Sequence, residues 1–322
     1  MRTQALSLVL LAAVPALARA SEAFPAPDMH LDMADAMAHA GQPPAEQPAA
    51  GSGGGATTAA PQPGRHTWEL PPVKVEGEQA APGLKEEELI GSYGQPRWTA
   101  DRRFPTTRVY VIPEGKVEVE AWARATMKRA DQGGETEWRF LQEVEIGLPN
   151  RFQLDLYLRQ DYDTASDDTL FGGQFEVRWA LADWGKLWGN PTLYLEYIVL
   201  EDRPQKIEPK LLLGGEIDSA WHWGANFVLE FELGGEEREH EYAVTTGISR
   251  TIVDEKLSIG AESVLSLTDV KGHRGDMATS LVIGPDLQWR PVPNLTVNFA
   301  PLIGVTNESP AAQIYLNVGW EF

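Results

Sequence analysis

The sequence predicts an all-β fold: a transmembrane, antiparallel, up-and-down β-barrel of about twelve strands, behind a disordered N-terminal leader. Three observations predict it. From residue 116 to the end, apolar side chains recur at every second position, segment after segment, with no helical period between the segments. The connections alternate between tight turns and longer polar loops, as they do in a barrel whose strands run up and down. Seven of the eleven tryptophans (Trp179, Trp184, Trp188, Trp221, Trp223, Trp289 and Trp320) fall at one end of the expected strands. An indole is apolar with one N–H to satisfy, which suits a membrane–water interface. A soluble β-sandwich would also alternate, but it needs neither a leucine-and-aromatic face on nearly every strand nor a one-sided tryptophan girdle.

Taken in order, the 322-residue chain opens with an export signal. Arg2 is the positive start, Ala5 to Leu17 the apolar run, and Ala18-Arg19-Ala20 the small-x-small site, so residues 1–20 read as a signal peptide. No later stretch reaches the ~18 apolar residues of a spanning helix. With no cysteine, disulfides, thiolate metal sites and lipid attachment through cysteine are excluded. A net charge of −20 argues against nucleic acid as a partner. It does not argue against a barrel, half of whose side chains face a polar lumen.

Residues 21–65 are rich in Ala, Pro and Gly and lack the apolar content to fold. Within them Met29, Met33 and Met37 recur every four residues, with His30 and His39 beside them. Thioether and imidazole suit Cu(I), and the four-residue step would align the sulfurs on a helix face. The pattern is similar to leaders of outer-membrane copper-resistance proteins, without their tandem repeats. The plainer reading is a short amphipathic segment with no ligand, and no cofactor is expected. Residues 66–115 regain aromatics and charge. Arg97, Arg102, Arg103 and Arg108 form a basic run just before the strands. The segment reads as a periplasmic lead-in with solvated arginines or, alternatively, as a small plug in an acidic lumen.

The barrel is expected over 116–322. The first strand, Lys116 to Thr126, carries Val117, Val119 and three alanines on one face; the second, Thr136 to Leu148, carries Trp138, Phe140, Val144 and Ile146. The third is the cleanest, with Phe152, Leu154, Leu156 and Leu158 against Gln153, Asp155 and Arg159. The fourth sets Phe175, Val177 and Trp179 against Glu176 and Arg178. The fifth, Thr192 to Glu201, is apolar on both faces apart from Glu196. The sixth, Pro209 to Asp218, and the eighth, Glu241 to Arg250, alternate weakly, so the count ranges from ten to fourteen. The seventh carries Phe227, Leu229 and Phe231, the ninth Leu257 and Ile259, the tenth Leu281 and Ile283, the eleventh Val297 and Phe299. Turns such as Pro149-Asn150 and Val253 to Lys256 are tight; loops such as Asp161 to Asp168 and Gly234 to His240 are longer. The exception is the long turn Ala182 to Pro191, expected to lie on the inner interface. Short turns place that end, and both termini, in the periplasm.

The twelfth strand runs Ile314, Leu316, Val318, Trp320, Phe322 on one face and closes on an aromatic residue. It resembles the terminal strand of Gram-negative outer-membrane β-barrels. That resemblance implies an insertion signal read by the barrel-insertion machinery, carried here by Tyr315, Val318, Trp320 and Phe322. It also implies outer-membrane lipid and lipopolysaccharide as surroundings.

The inward positions are charged. Glu143, Asp155, Arg159, Glu176 and Arg178 lie on the second to fourth strands, and Glu196, Glu216, Glu230, Glu232 and Glu262 on the fifth to ninth. Such charges line a water-filled pore or, paired with arginine, close it. Twelve strands sit between the filled eight-stranded barrel and the open sixteen-stranded one. The expectation is a passive or semi-plugged channel, cation-preferring where open. Size, layout and Gly-Gly-rich strand starts such as Phe171-Gly172-Gly173 resemble small outer-membrane transporter barrels of the phenol-degradation type. Two other classes stay open. One is an envelope-structural or adhesion barrel; the other is an outer-membrane hydrolase in which His240 with Glu239 and Glu241, and His273 with Asp269 and Asp276, meet from neighbouring outer loops as a metal or acid–base cluster.

Overall fold

The computed structural model describes residues 83–322 except 236, 237 and 273. The expected signal peptide, the leader with Met29, His30, Met33, Met37 and His39, residues 66–82 and His273 lie outside the described residues.

Twelve strands close into one antiparallel barrel, each hydrogen-bonded to its neighbours in the sequence and the last to the first. A small ladder of β1 (Leu89–Ile90) and β2 (Gln95–Pro96) precedes them. The barrel strands are β3 (Val117–Met127), β4 (Thr136–Leu148), β5 (Phe152–Asp163), β6 (Asp168–Ala180), β7 (Thr192–Leu200), β8 (Lys206–Glu216), β9 (Trp221–Glu232), β10 (Glu239–Val253), β11 (Leu257–Val270), β12 (Ala278–Val292), β13 (Leu295–Gly304) and β14 (Ala312–Glu321). β14 meets β3 in register from Ala312↔Met127 to Glu321↔Glu118. Closure leaves the sheet without an edge of unpaired N–H and C=O groups.

The segments of weakest alternation are full strands. β10 overruns the expected Glu241–Arg250 at both ends, and β8 starts at Lys206 rather than Pro209. Ordered neighbours on both sides supply the pairing that the side-chain pattern alone does not announce. The β12–β13 ladder is interrupted between Ile283↔Ile303 and Leu287↔Phe299, where Pro285 and Pro301 have no N–H to give.

One rim carries the connections 149–151, 181–191, 217–220, 254–256 and 293–294 together with the start of β3 and the end of β14. We call it the terminal rim. The loop rim carries 128–135, 164–167, 201–205, 233–238, 271–277 and 305–311. The loop expected over Asp161–Asp168 is shorter, because β5 and β6 zip up to the pair Asp163↔Asp168. On the outer wall Leu156, Leu158, Phe175, Leu195, Phe227 and Leu316 are exposed, which leaves an apolar face turned away from the lumen. Trp179, Trp221, Trp289 and Trp320 are exposed near the terminal rim, and Trp179 stacks on Phe152 at 5.7 Å.

Residues 83–116 run inside this wall. Their contacts circle the lumen from β3 to β12: Arg102 reaches Glu120 and Glu143, Ile112 N–H donates to Gln153, Arg108 N–H to Asn226, Thr107 bonds Thr245, Thr106 N–H reaches Glu262, and Gln288 reaches the Arg102 carbonyl. Tyr93, Trp98, Phe104, Val109, Tyr110 and Val111 form an apolar core there. The long 181–191 turn belongs to this core. Trp184 meets Trp98 and Tyr110 edge-on at 5.7 and 5.2 Å, and the Tyr110 hydroxyl donates to the Ala182 carbonyl at 2.6 Å. At its tip Trp188 is 82% exposed, so the turn as a whole does not lie outside the barrel as expected.

The barrel wall makes room for the segment with glycine. Gly214, Gly224 and Gly247 stand side by side on β8, β9 and β10. A Cβ on Gly224 would come within 2.9 Å of Thr107 and 3.1 Å of Val109, and one on Gly247 within 2.6 Å of the Phe104 ring. Any other residue in this row would push the inner segment off the wall.

Candidate pore and its inner segment

The terminal half of the lumen is built on like-charged register pairs. Glu118 stands opposite Glu145 and Glu120 opposite Glu143 on β3 and β4, all buried. Like charges directly opposite destabilise a sheet, and an unpaired buried carboxylate costs several kcal/mol. The inner segment supplies the counter-charges. Arg102 donates from Nε to Glu120 at 2.9 Å and from Nη2 to Glu120, Glu143 and Glu145 at 2.5, 3.2 and 3.1 Å, with its guanidinium 4.1 Å from the Trp122 ring. Arg108 donates to Glu143 at 2.8 Å and to Glu145. Lys116 lies 3.2 Å from Asp101, 3.8 Å from Glu118 and 3.1 Å from Glu321. Burial alone would lower the Lys116 pKa, but Asp101, Glu118 and Glu321 together raise it well above its usual value.

Two carboxylate groups, Glu120/Glu143/Glu145 and Glu143/Asp155/Glu176, gather their oxygens within 4.8 Å, close enough for a metal ion. Guanidinium groups reach both. Arg102 and Arg108 enter the first, and Arg178, 2.9 Å from Asp155 and bonded to Glu176, enters the second.

Arg103 points to the other wall. It donates to Ser249 at 2.9 Å, Thr251 at 2.7 Å and Glu86 at 3.2 Å, and meets His222 Nδ1 at 2.9 Å. Since arginine only donates, His222 Nδ1 accepts. Burial lowers the Arg103 pKa, while Glu86 opposes the shift. Arg97 stays at the rim, paired with Glu88 at 3.0 Å and Glu255 at 3.2 Å. Of the four arginines, Arg102 and Arg103 are buried, Arg108 is half-buried and Arg97 lies at the rim.

Each sequence-derived lumen residue has a definite place. Glu143, Asp155, Glu176 and Arg178 belong to the cluster just described. Arg159 pairs with Asp161 at 2.6 Å, Glu196 with Lys210 at 3.3 Å and Glu230 with Lys206 at 2.6 Å; Glu232 lies 3.7 Å from Lys206. Glu262 accepts from the Thr106 N–H at 2.7 Å. Glu216 is exposed at the terminal rim and accepts from Trp98 Nε1 at 3.0 Å. Val318, Trp320 and Phe322 are exposed on the outer wall, whereas Tyr315 turns inward onto Val282, Ala300 and Leu302. Glu118, Glu120, Trp122 and Arg124 are lumen residues that the sequence reading passed over. Their signal was present, since they occupy the alternate parity of β3 to the valines and alanines.

Above the inner segment the described residues leave the lumen hollow. A cavity of about 290 Å³ has Arg102, Thr106 and Arg108 as its floor, and a second of about 430 Å³ continues toward the loop rim; Arg124, Arg139 and Arg159 line both. Near that rim His240 stands opposite Asp269 in register, but the two are otherwise engaged. The His240 ring packs edge-on against Phe231 at 5.1 Å, and Asp269 accepts from the Gly275 N–H at 3.0 Å and from Arg274 at 3.2 Å. Asp276 is exposed in the adjoining loop.

No protein-family model matches the chain, and no curated protein is similar to it. Among solved structures it is similar to an outer membrane channel from Pseudomonas putida F1, at 9% identity and a TM-score of 0.52, over 66% of this chain and 98% of that one. The chain is a closed twelve-stranded antiparallel β-barrel whose fold resembles that of an outer membrane channel. The NanC porin (14% identity, TM-score 0.44, 64% of this chain and 98% of that chain) and the KdgM porin in complex with disordered oligogalacturonate (11%, 0.44, 64% and 98%) are more distant. At these identities the likeness is one of fold.

Proposed function

We propose that the chain is a semi-plugged channel of the outer membrane for small polar or cationic solutes, with residues 83–116 as its plug and the terminal rim in the periplasm. One observation carries the reading. The terminal half of the lumen is filled by a segment held through arginine–carboxylate contacts, while among the described residues the other half is a charged vestibule opening toward the loop rim. A barrel meant to be solid would fill both halves, and a general porin would fill neither. The short turns and exposed tryptophans of the terminal rim support the orientation. In size and layout such a channel resembles the small transporter barrels of the phenol-degradation type, a likeness that brings no substrate with it.

Single-channel conductance in planar bilayers tests the reading, with the full protein set beside a variant lacking residues 21–115. The expected result is small or rare steps for the full protein and large steady ones for the truncation. Silence in both, with the heat-modifiable gel mobility of a folded barrel, would overturn it in favour of an envelope-structural or adhesion role.

A further inference from the structure

The vestibule repeats the device of the terminal half, like charges set opposite each other, but here no inner segment among the described residues answers them. On one wall Arg124 of β3 stands directly opposite Arg139 of β4, and Arg159 of β5 joins them. Arg139 and Arg159 share a single carboxylate, Asp161, each through two hydrogen bonds. Among the described residues Arg124 has no carboxylate within ion-pair distance. On the far wall Glu230 of β9 stands opposite Glu241 of β10, and Glu196 of β7 opposite Glu208 of β8. Lys206 answers Glu230, and Lys210 answers Glu196 and Glu208. Glu241 has no cation within ion-pair distance among the described residues. Arg124 and Glu241 are both half-buried and line the same cavity of about 290 Å³.

The two walls therefore hold like charges in register, basic on one side and acidic on the other, and Arg124 and Glu241, of opposite sign, each lack an ion pair among the described residues. Like charges directly opposite cost stability, and a narrow low-dielectric lumen strengthens the field between the walls. A solute with one charge finds one wall attractive and the other repulsive. A solute with both signs, aligned across the lumen, completes both pairs.

We propose that the vestibule is a binding site for a small zwitterion whose anionic group pairs with Arg124 and whose cationic group pairs with Glu241, an inference that rests on reading this lumen as the solute path. It narrows the cation preference that the acidic sequence suggests, because Arg102, Arg108 and Arg178 already answer much of that acidity within the protein.

Isothermal titration calorimetry of the full refolded protein in detergent tests the site with three length-matched probes: 6-aminohexanoate, hexanoate and hexylammonium. The expected result is roughly tenfold tighter binding of 6-aminohexanoate than of either single-charge probe, one charge-assisted contact being enough for that ratio. Arg124→Gln should bring 6-aminohexanoate down to the level of hexylammonium, Arg124→Lys should restore part of the difference, and Glu241→Gln should bring it down to the level of hexanoate. Each Gln change removes a like-charge contact facing a cavity, so folding is expected to survive, and heat-modifiable mobility verifies it. Equal binding of all three probes, tightest binding of hexylammonium, no binding at millimolar concentration, or Gln variants that leave the ratios unchanged would each overturn the proposal. The bilayer experiment fails separately: a silent barrel that still prefers 6-aminohexanoate would sink the channel reading and keep the site.

Discussion

Phe104 lies face to face with the missing side chain of Gly247. The ring is fully buried, and a Cβ on that glycine would stand 2.6 Å from Cδ1 of the phenylalanine. The contact joins residues far apart in the chain and couples the inner segment to β10 by shape alone. Gly247→Val is expected to expel the segment while sparing the barrel, because β10 itself readily accepts a β-branched residue. Trypsin should then cleave at Arg102, Arg103 or Arg108, sites that the wall protects in the parent protein, and bilayer steps should grow. Adding Phe104→Ala should restore protection by vacating the space.

Arg102 answers three buried carboxylates. Arg102→Met leaves Glu120, Glu143 and Glu145 with Arg108 as their remaining guanidinium from the inner segment, and breaking such a buried set costs about 3–5 kcal/mol. Hydrogen exchange over residues 95–112 should accelerate accordingly. Glu143→Gln in the same chain should recover part of the loss, a non-additivity that independent sites would not give.

The protein has no cysteine, so introduced pairs report cleanly. The Thr107 and Thr245 hydroxyls are buried and 3.0 Å apart. A Thr107→Cys/Thr245→Cys pair is expected to oxidise readily and tie the segment to β10. If solute passage needs the segment to move, oxidation should suppress the bilayer steps and dithiothreitol should restore them. Unchanged steps in the oxidised protein would mean that solutes pass beside a stationary segment.

Lys116 ties the end of the inner segment to the start of β3, donating to the Ala100 carbonyl at 2.6 Å and to Asp101 at 3.2 Å. Its pKa is raised in the folded protein. Its contribution is therefore fully present below the unfolded lysine value of about 10.4 and is lost as pH rises through the higher folded value. Protease protection of the segment should hold at neutral pH and fall only in strongly alkaline buffer. Lys116→Met should lower protection at neutral pH and remove the alkaline dependence.

The sequence by itself determined the all-β class, a strand count near twelve and which face of nearly every strand points away from the lumen. These are period-two properties, written in neighbouring residues such as Leu154, Leu156 and Leu158 on β5, and they need no knowledge of what lies across the sheet. Only the tertiary structure decided where the arginines before the barrel go. Arg102 and Glu143 are 41 residues apart and Arg103 and Thr251 148 apart, and no local pattern records a contact across a lumen. The same holds for the glycine row: Gly214, Gly224 and Gly247 read singly as weak strand residues, and only closure of the barrel aligns them into a cradle. Register explains the vestibule too. Arg124 and Arg139, or Glu230 and Glu241, read along their own strands as ordinary inward charges. Hydrogen bonding between strands sets them opposite one another and turns a scattered acidic surplus into two walls of opposite sign.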